Sequence, residues 1–230
     1  MKERVCRAVA KVKGQMSAAG KADLPLLWTE WNVPGMNAVR DTDFVGPALA
    51  HTIRGCDGLG AQLSFWTFSD VFEEQGVVKQ PFYGGFGLLA AGNIPKTSFN
   101  AFALLHQLGS TRLDVSSDSA LVTRRADGSL VVAVWNLFQP EESGAPKTVT
   151  LRFQGLPGAK TARVTILDRD HGSPLPAYEK MGRPQFPTRE QVEMLRKAAA
   201  LPAAESHAIR DGKLTLTLAP QALALVQIAK

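Results

Sequence analysis

Glu30 has the most suggestive surroundings of any residue in this 230-residue chain, because it stands between Trp28 and Trp31 in the run LPLLWTEW, residues 24–31. A carboxylate among indoles suits sugar chemistry. Aromatic faces pack on the C–H faces of a pyranose, and a carboxylate beside them can attack the anomeric carbon or stabilise an oxocarbenium ion. A strand-end glutamate paired with a basic residue would leave the same trace. A second group follows: Trp66 lies in AQLSFWTF, residues 61–68, and Asp70, Glu73 and Glu74 come directly after it. Carboxylates are good acceptors for sugar hydroxyls, although SDVFEE also reads as a solvated acidic loop. Cys6 and Cys56 are the only cysteines, and the histidines at 51, 106, 171 and 207 are far apart. Neither a disulfide framework nor a metal-ligand set is legible, and no cofactor is expected.

The elements that would position these groups follow from hydrophobic period. LPLLWTEW is short, apolar and bounded by turn residues, as suits a buried strand with its functional groups at the C-terminal end. Val45, Ala48, Leu49, Thr52 and Ile53 recur at helical spacing, with Asp43 as the expected cap, Pro47 in the first turn and Gly55 at the stop. AQLSFWTF predicts a second strand. A glycine-rich loop (Gly76, Gly84, Gly85, Gly87) then leads to a helix carrying Ala101, Leu104, Leu105 and Leu108. Val5, Ala8, Val9 and Val12 place a further helix at the start, without a capping residue. This rhythm is that of an α/β protein with parallel strands. Two such strands cannot cover their own edges, so more sheet is expected beyond what this chain carries.

After Gly109 the pattern becomes short alternating strands. Asp127-Gly128 marks a two-residue hairpin between SALVTRR and SLVVAVW. Val149, Leu151 and Phe153 alternate with polar residues, as do Leu214, Leu216 and Leu218, and ALALVQI closes the chain. An antiparallel β-sandwich is expected. Thr188 and Gln191 form a capping-box pattern for a helical insertion near 188–200, preceded by a proline-rich surface stretch.

The runs PLLWTEWN, SFWTFSDVFEEQG and PFYGGFGLLAAGNIPKTSFNAFALLHQLG resemble the last two strand-and-helix units of family 39 glycoside hydrolases, in the bacterial β-xylosidase branch, over about residues 20–110. The resemblance implies an incomplete TIM (β/α)8 barrel over residues 1–110 and a β-sandwich domain over 111–230. It implies a retaining hydrolase of β-xylosides or related O-glycosides, with Glu30 as catalytic nucleophile, and sugar binding by Trp66, Glu73 and Glu74. A retaining glycosidase also needs an acid/base carboxyl about 5 to 5.5 Å from the nucleophile. That family carries it in an Asn-Glu-Pro motif, and no Asn here is followed by Glu. The chain is therefore expected to be truncated and inactive alone.

Composition is that of an ordinary globular protein, with 45% hydrophobic and 20% charged residues. No apolar run reaches the roughly 20 residues of a membrane span. The formal charge of +5 comes from scattered residues, so neither a nucleic-acid nor a membrane partner is expected. The expected partner is a xyloside or other oligosaccharide; oligomeric state and compartment are not legible. A non-catalytic carbohydrate-binding module and a structural or interaction β-sandwich are the alternatives from other classes.

Overall fold

Tertiary packing is fixed in part by a disulfide that no local pattern announces, between Cys6 and Cys56 with their Cα atoms 4.8 Å apart. The structure, a computed structural model, describes residues 4–33, 37–72, 76–78, 80–155 and 158–229. Helix α1 (Arg4–Ala18) buries only Cys6 and Val9, and the disulfide ties it to the last residue of α2 (Val45–Cys56). The missing signal is understandable, because a pairing across 50 residues depends on how two helices pack.

Strands β1 (Leu26–Trp31) and β2 (Ala61–Phe65) pair in parallel, with α2 as the crossover. Trp28 lies opposite Leu63, but Trp31 lies opposite Phe65, so β1 carries one extra residue in the stretch that holds Glu30. Such an irregularity re-aims side chains. Here Thr29 and Glu30 are both exposed, and Trp31 turns into the core. Trp28, Leu63 and Phe65 pack against the main core, whereas Leu27 on the opposite face is 60% exposed. The strand expected to reach residue 68 stops at Phe65, so Trp66 lies just past its end.

Asp43 does not cap α2. The N-cap is Phe44, with no side-chain cap bond. Packing fixes the start instead: a Cβ on Gly46 would lie 3.3 Å from Leu167 and 3.8 Å from Leu223. A short hairpin, β3 (Leu89–Ala90) and β4 (Ile94–Pro95), precedes α3 (Thr97–Leu105).

The second half forms a six-stranded antiparallel sheet in the order β10 (Glu205–Ala208), β9 (Thr161–Leu167), β12 (Leu223–Ile228), β7 (Leu130–Trp135), β6 (Ala120–Arg124), β5 (Thr111–Leu113). Strands β8 (Lys147–Arg152) and β11 (Lys213–Leu218) make a separate antiparallel pair. The β6–β7 hairpin turns through residues 125–129, longer than two residues, with Gly128 at φ 86° and Ser129 N–H donating to the Asp127 carboxylate. Alternation sorts the large sheet's two faces. Val132, Val134, Val164, Ala224 and Val226 share a core with Leu214, Leu216 and Leu218 of β11. Val131, Ala133, Trp135, Leu223 and Leu225 share another with Leu49 of α2 and Leu104 of α3. Burial on both faces explains why SLVVAVW and ALALVQI are nearly continuous apolar runs.

The proline-rich stretch is not a simple surface insertion. It contains α4 (Leu175–Lys180), whose Tyr178 is 1% exposed and meets Phe82 at 5.0 Å between ring centroids. The capping box at Thr188 and Gln191 is present and opens α5 (Arg189–Ala198). Leu195 of α5 packs in one cluster with Ile94 and Tyr178, and Asn100 donates to the carbonyls of Gly172 and Ala199. The insertion thereby braces the segment between β2 and α3.

Candidate functional site

Glu30 and Trp66 lie at the C-terminal ends of the paired strands β1 and β2. Trp66 N–H donates to the Trp31 carbonyl at 2.8 Å, extending the strand pairing by one residue past β2. Asn32 follows Trp31 and bridges outward: its Nδ2 donates to the carbonyls of Trp66 (2.5 Å) and Phe86 (3.1 Å), while its Oδ1 accepts from Val33 N–H. One side chain thus ties the end of β1 to two later segments. The Trp66–Thr67 peptide is cis. The Trp66 indole is half-buried and meets Phe72 edge-on at 6.0 Å. Glu30, the penultimate residue of β1, is exposed, and no ion pair to it is found among the described residues. The reading of Glu30 as a strand-end glutamate held by a basic residue finds no support there.

Asp70 departs from the sequence reading. Rather than facing the strand ends as an open acid, it is fully buried. Its Oδ1 accepts from Gly87 N–H at 2.6 Å and its Oδ2 lies 3.2 Å from Lys96 Nζ. The same ammonium lies 2.5 Å from Asp41 Oδ1 and donates to the Gly85 carbonyl at 2.9 Å. Asp41 Oδ2 accepts from Gly84 N–H at 2.6 Å. Arg40 donates to the Gly84 carbonyl and stacks 4.1 Å from the centre of the Phe86 ring. Burial pushes the Asp70 carboxyl up to about 6; the Lys96 charge opposes the shift and the Asp41 charge adds to it. This carboxylate is withdrawn from solvent and bonded to the Gly87 N–H and the Lys96 ammonium.

Glu73 and Glu74 lie outside the described residues. Glu30 and Trp66 stand at the ends of two paired strands, whereas Asn32, Asp41 and Lys96 were not singled out by residue type. A faint signal existed in YGGFG, residues 83–87. A Cβ on Gly85 would lie 2.5 Å from the Asp70 carboxyl carbon, and one on Gly87 would lie 2.2 Å from the Asp70 nitrogen, so these glycines mark close approach.

A carboxylate and an indole on neighbouring strand ends, beside a two-faced antiparallel sheet, sit on a fold that recurs in solved glycoside hydrolases. A crystal structure of a monomeric beta-xylosidase from Caulobacter crescentus CB15 superposes with TM-score 0.86 at 24% identity, over 100% of this chain and 50% of that one. The GH39 enzyme from Xanthomonas axonopodis pv. citri gives TM-score 0.80 at 25% identity, over 96% of this chain and 48% of that one. The pattern of glycosyl hydrolases family 39 matches residues 1–215, and the chain belongs to that family. Among curated relatives, a beta-xylosidase of Geobacillus stearothermophilus is 35% identical over 209 residues, 89% of this chain and 41% of the relative. One from Caldicellulosiruptor saccharolyticus is 29% identical over 77% of this chain and 38% of its own length. The chain thus spans between about two fifths and one half of the relatives it matches.

Proposed function

We propose that this chain is the part of a retaining β-xylosidase-like glycosidase that supplies the nucleophile and one wall of the sugar subsite. The observation that carries the reading is the juxtaposition at the strand ends: Glu30 is exposed in β1 one residue before Trp31, whose carbonyl accepts from Trp66 N–H. In this reading β1, α2, β2 and α3 are the closing units of a (β/α)8 barrel over residues 1–110, and residues 111–230 are the sandwich domain attached to it. Active groups of such barrels sit at the C-terminal strand ends. The Glu30 carboxylate attacks the anomeric carbon of a β-xyloside, and the glycosidic C–O bond breaks as the leaving oxygen takes a proton from a general acid. A glycosyl ester on Glu30 results, and water hydrolyses it with the same acid now acting as base. The Trp66 face packs on the sugar ring, and Glu73 and Glu74 accept from its hydroxyls. The general acid is not assigned to any of these 230 residues, since no Asn-Glu pair occurs among them. Hydrolysis by this chain alone is accordingly expected to match a no-enzyme blank.

The test is mechanism-based labelling. A 2-deoxy-2-fluoro-xyloside with an activated leaving group needs little acid assistance, and it should esterify Glu30, found by peptide mass spectrometry. A label on another carboxylate, or none on a folded chain that binds xylose, would remove Glu30 from the role.

A further inference from the structure

Lys96 is a cation with 1% of its surface exposed, at the N-cap of α3, and three segments converge on it. Its backbone N–H donates to the Leu88 carbonyl at 2.9 Å and its Nζ donates to the Gly85 carbonyl at 2.9 Å, so one residue grips 85–88 at both ends. That segment is bonded to the residue after Trp66 and, through Asn32, to the Trp66 carbonyl. The Phe86 carbonyl accepts from Thr67 N–H at 2.9 Å and from Asn32, and Leu88 N–H donates to the Thr67 carbonyl at 2.9 Å. The ammonium also reaches Asp41, from the connection after β1, and Asp70, from the connection after β2. Stability is a poor reason for such a cluster, because a well-packed apolar replacement of a buried ion group is often as stable or more so. What fixed charges and directional bonds supply is one geometry. Gly85 and Gly87 point the same way, since any Cβ there would drive Asp70 out of the cluster.

We propose that Lys96, held between Asp41 and Asp70, is a positioning residue for the strand-end site. It fixes the Trp66 platform relative to Glu30 through the 85–88 segment without touching the sugar. This rests on the glycosidase reading for its meaning, and on the bond network alone for its mechanics.

The chain has four tryptophans, so 5-fluorotryptophan labelling gives a short 19F spectrum that single Trp→Phe substitutions assign. In Lys96→Met the Trp66 line should move by more than its width or split. The Trp135 line, from the core between the large sheet and the helices, should stay in place as a control of folding. Titration with methyl β-D-xyloside should shift Trp66 in the unsubstituted chain, at least tenfold more weakly in Lys96→Met and equally in Lys213→Met. A Trp66 line unmoved in folded Lys96→Met overturns the proposal. Should Lys96→Met not fold, Asp70→Asn has nearly the same shape and decides by the same line: displacement supports the proposal, and an unmoved line overturns it. If the xyloside leaves the Trp66 line of the unsubstituted chain still, the sugar reading fails, while the ligand-free spectra still decide the role of Lys96.

Discussion

Replacing Lys96 by methionine keeps most of the side chain's length and removes its charge, leaving Asp41 and Asp70 buried on either side of an apolar group. Removing one member of a buried ion group costs about 3–5 kcal/mol, because the remaining charges lose their compensation. For a chain of this size each kcal/mol moves the unfolding midpoint by about 2 °C, so the midpoint should fall by about 6–10 °C at pH 7.5. Asp70, whose carboxyl burial already pushes up to about 6, can escape by protonation, so the loss should shrink at pH 4.5. The triple variant Asp41→Asn/Asp70→Asn/Lys96→Met, which carries no buried charge in the cluster, should recover most of the difference. Differential scanning calorimetry of the three proteins at both pH values is the assay. A Lys96→Met midpoint within about 2 °C of the unsubstituted chain at pH 7.5, or a triple variant less stable than Lys96→Met, would refute the account of Lys96 as the compensating charge of the cluster.

The pH dependence of Asp70 has a definite sign. Its folded pKa of about 6 stands above the ordinary 3.8, so its contribution is fully present below 3.8 and is lost as pH rises through 6; relative to Asp70→Asn, the unsubstituted chain should lose stability between about pH 4 and 6 and stay level above. Reduction of the Cys6–Cys56 disulfide, which closes a loop of 50 residues, should cost up to about 4 kcal/mol on chain-entropy grounds, read as a lower midpoint in dithiothreitol that Cys6→Ala/Cys56→Ala reproduces. Gly87→Ala should disturb Asp70 as Lys96→Met does, since the added carbon would sit 2.2 Å from the Asp70 nitrogen; equal thermal midpoints would contradict the close approach. Trp66→Ala should weaken xyloside binding, followed by calorimetric titration, by about tenfold for the loss of one stacked ring, and an unchanged affinity would remove the indole from the subsite.

Much of this was legible in the residues themselves. Period two and period 3.6 are local properties, so β1, α2, β2, the alternating strands after Gly109 and the Thr188 capping box could all be read before any packing was known. The candidate site was half legible for the same reason. Glu30 and Trp66 stand at the ends of consecutive strands, and parallel pairing across a helix brings such ends together. The segment holding Glu73 and Glu74 lies outside the described residues, and nothing more is learned of their part. Other features depend on contacts between distant segments, which no local pattern encodes. Asp43 gave way to buried packing at the start of α2. Asp70 read as an open acid until Lys96, 26 residues on, was seen to neutralise it. Tyr178 read as part of a surface loop until Phe82 was found against it. Cys6 and Cys56 found each other through the packing of α1 on α2. Local sequence determined which elements form; only the tertiary structure decided which polar groups are withdrawn from solvent to hold those elements in place, because burial is set by the whole fold at once.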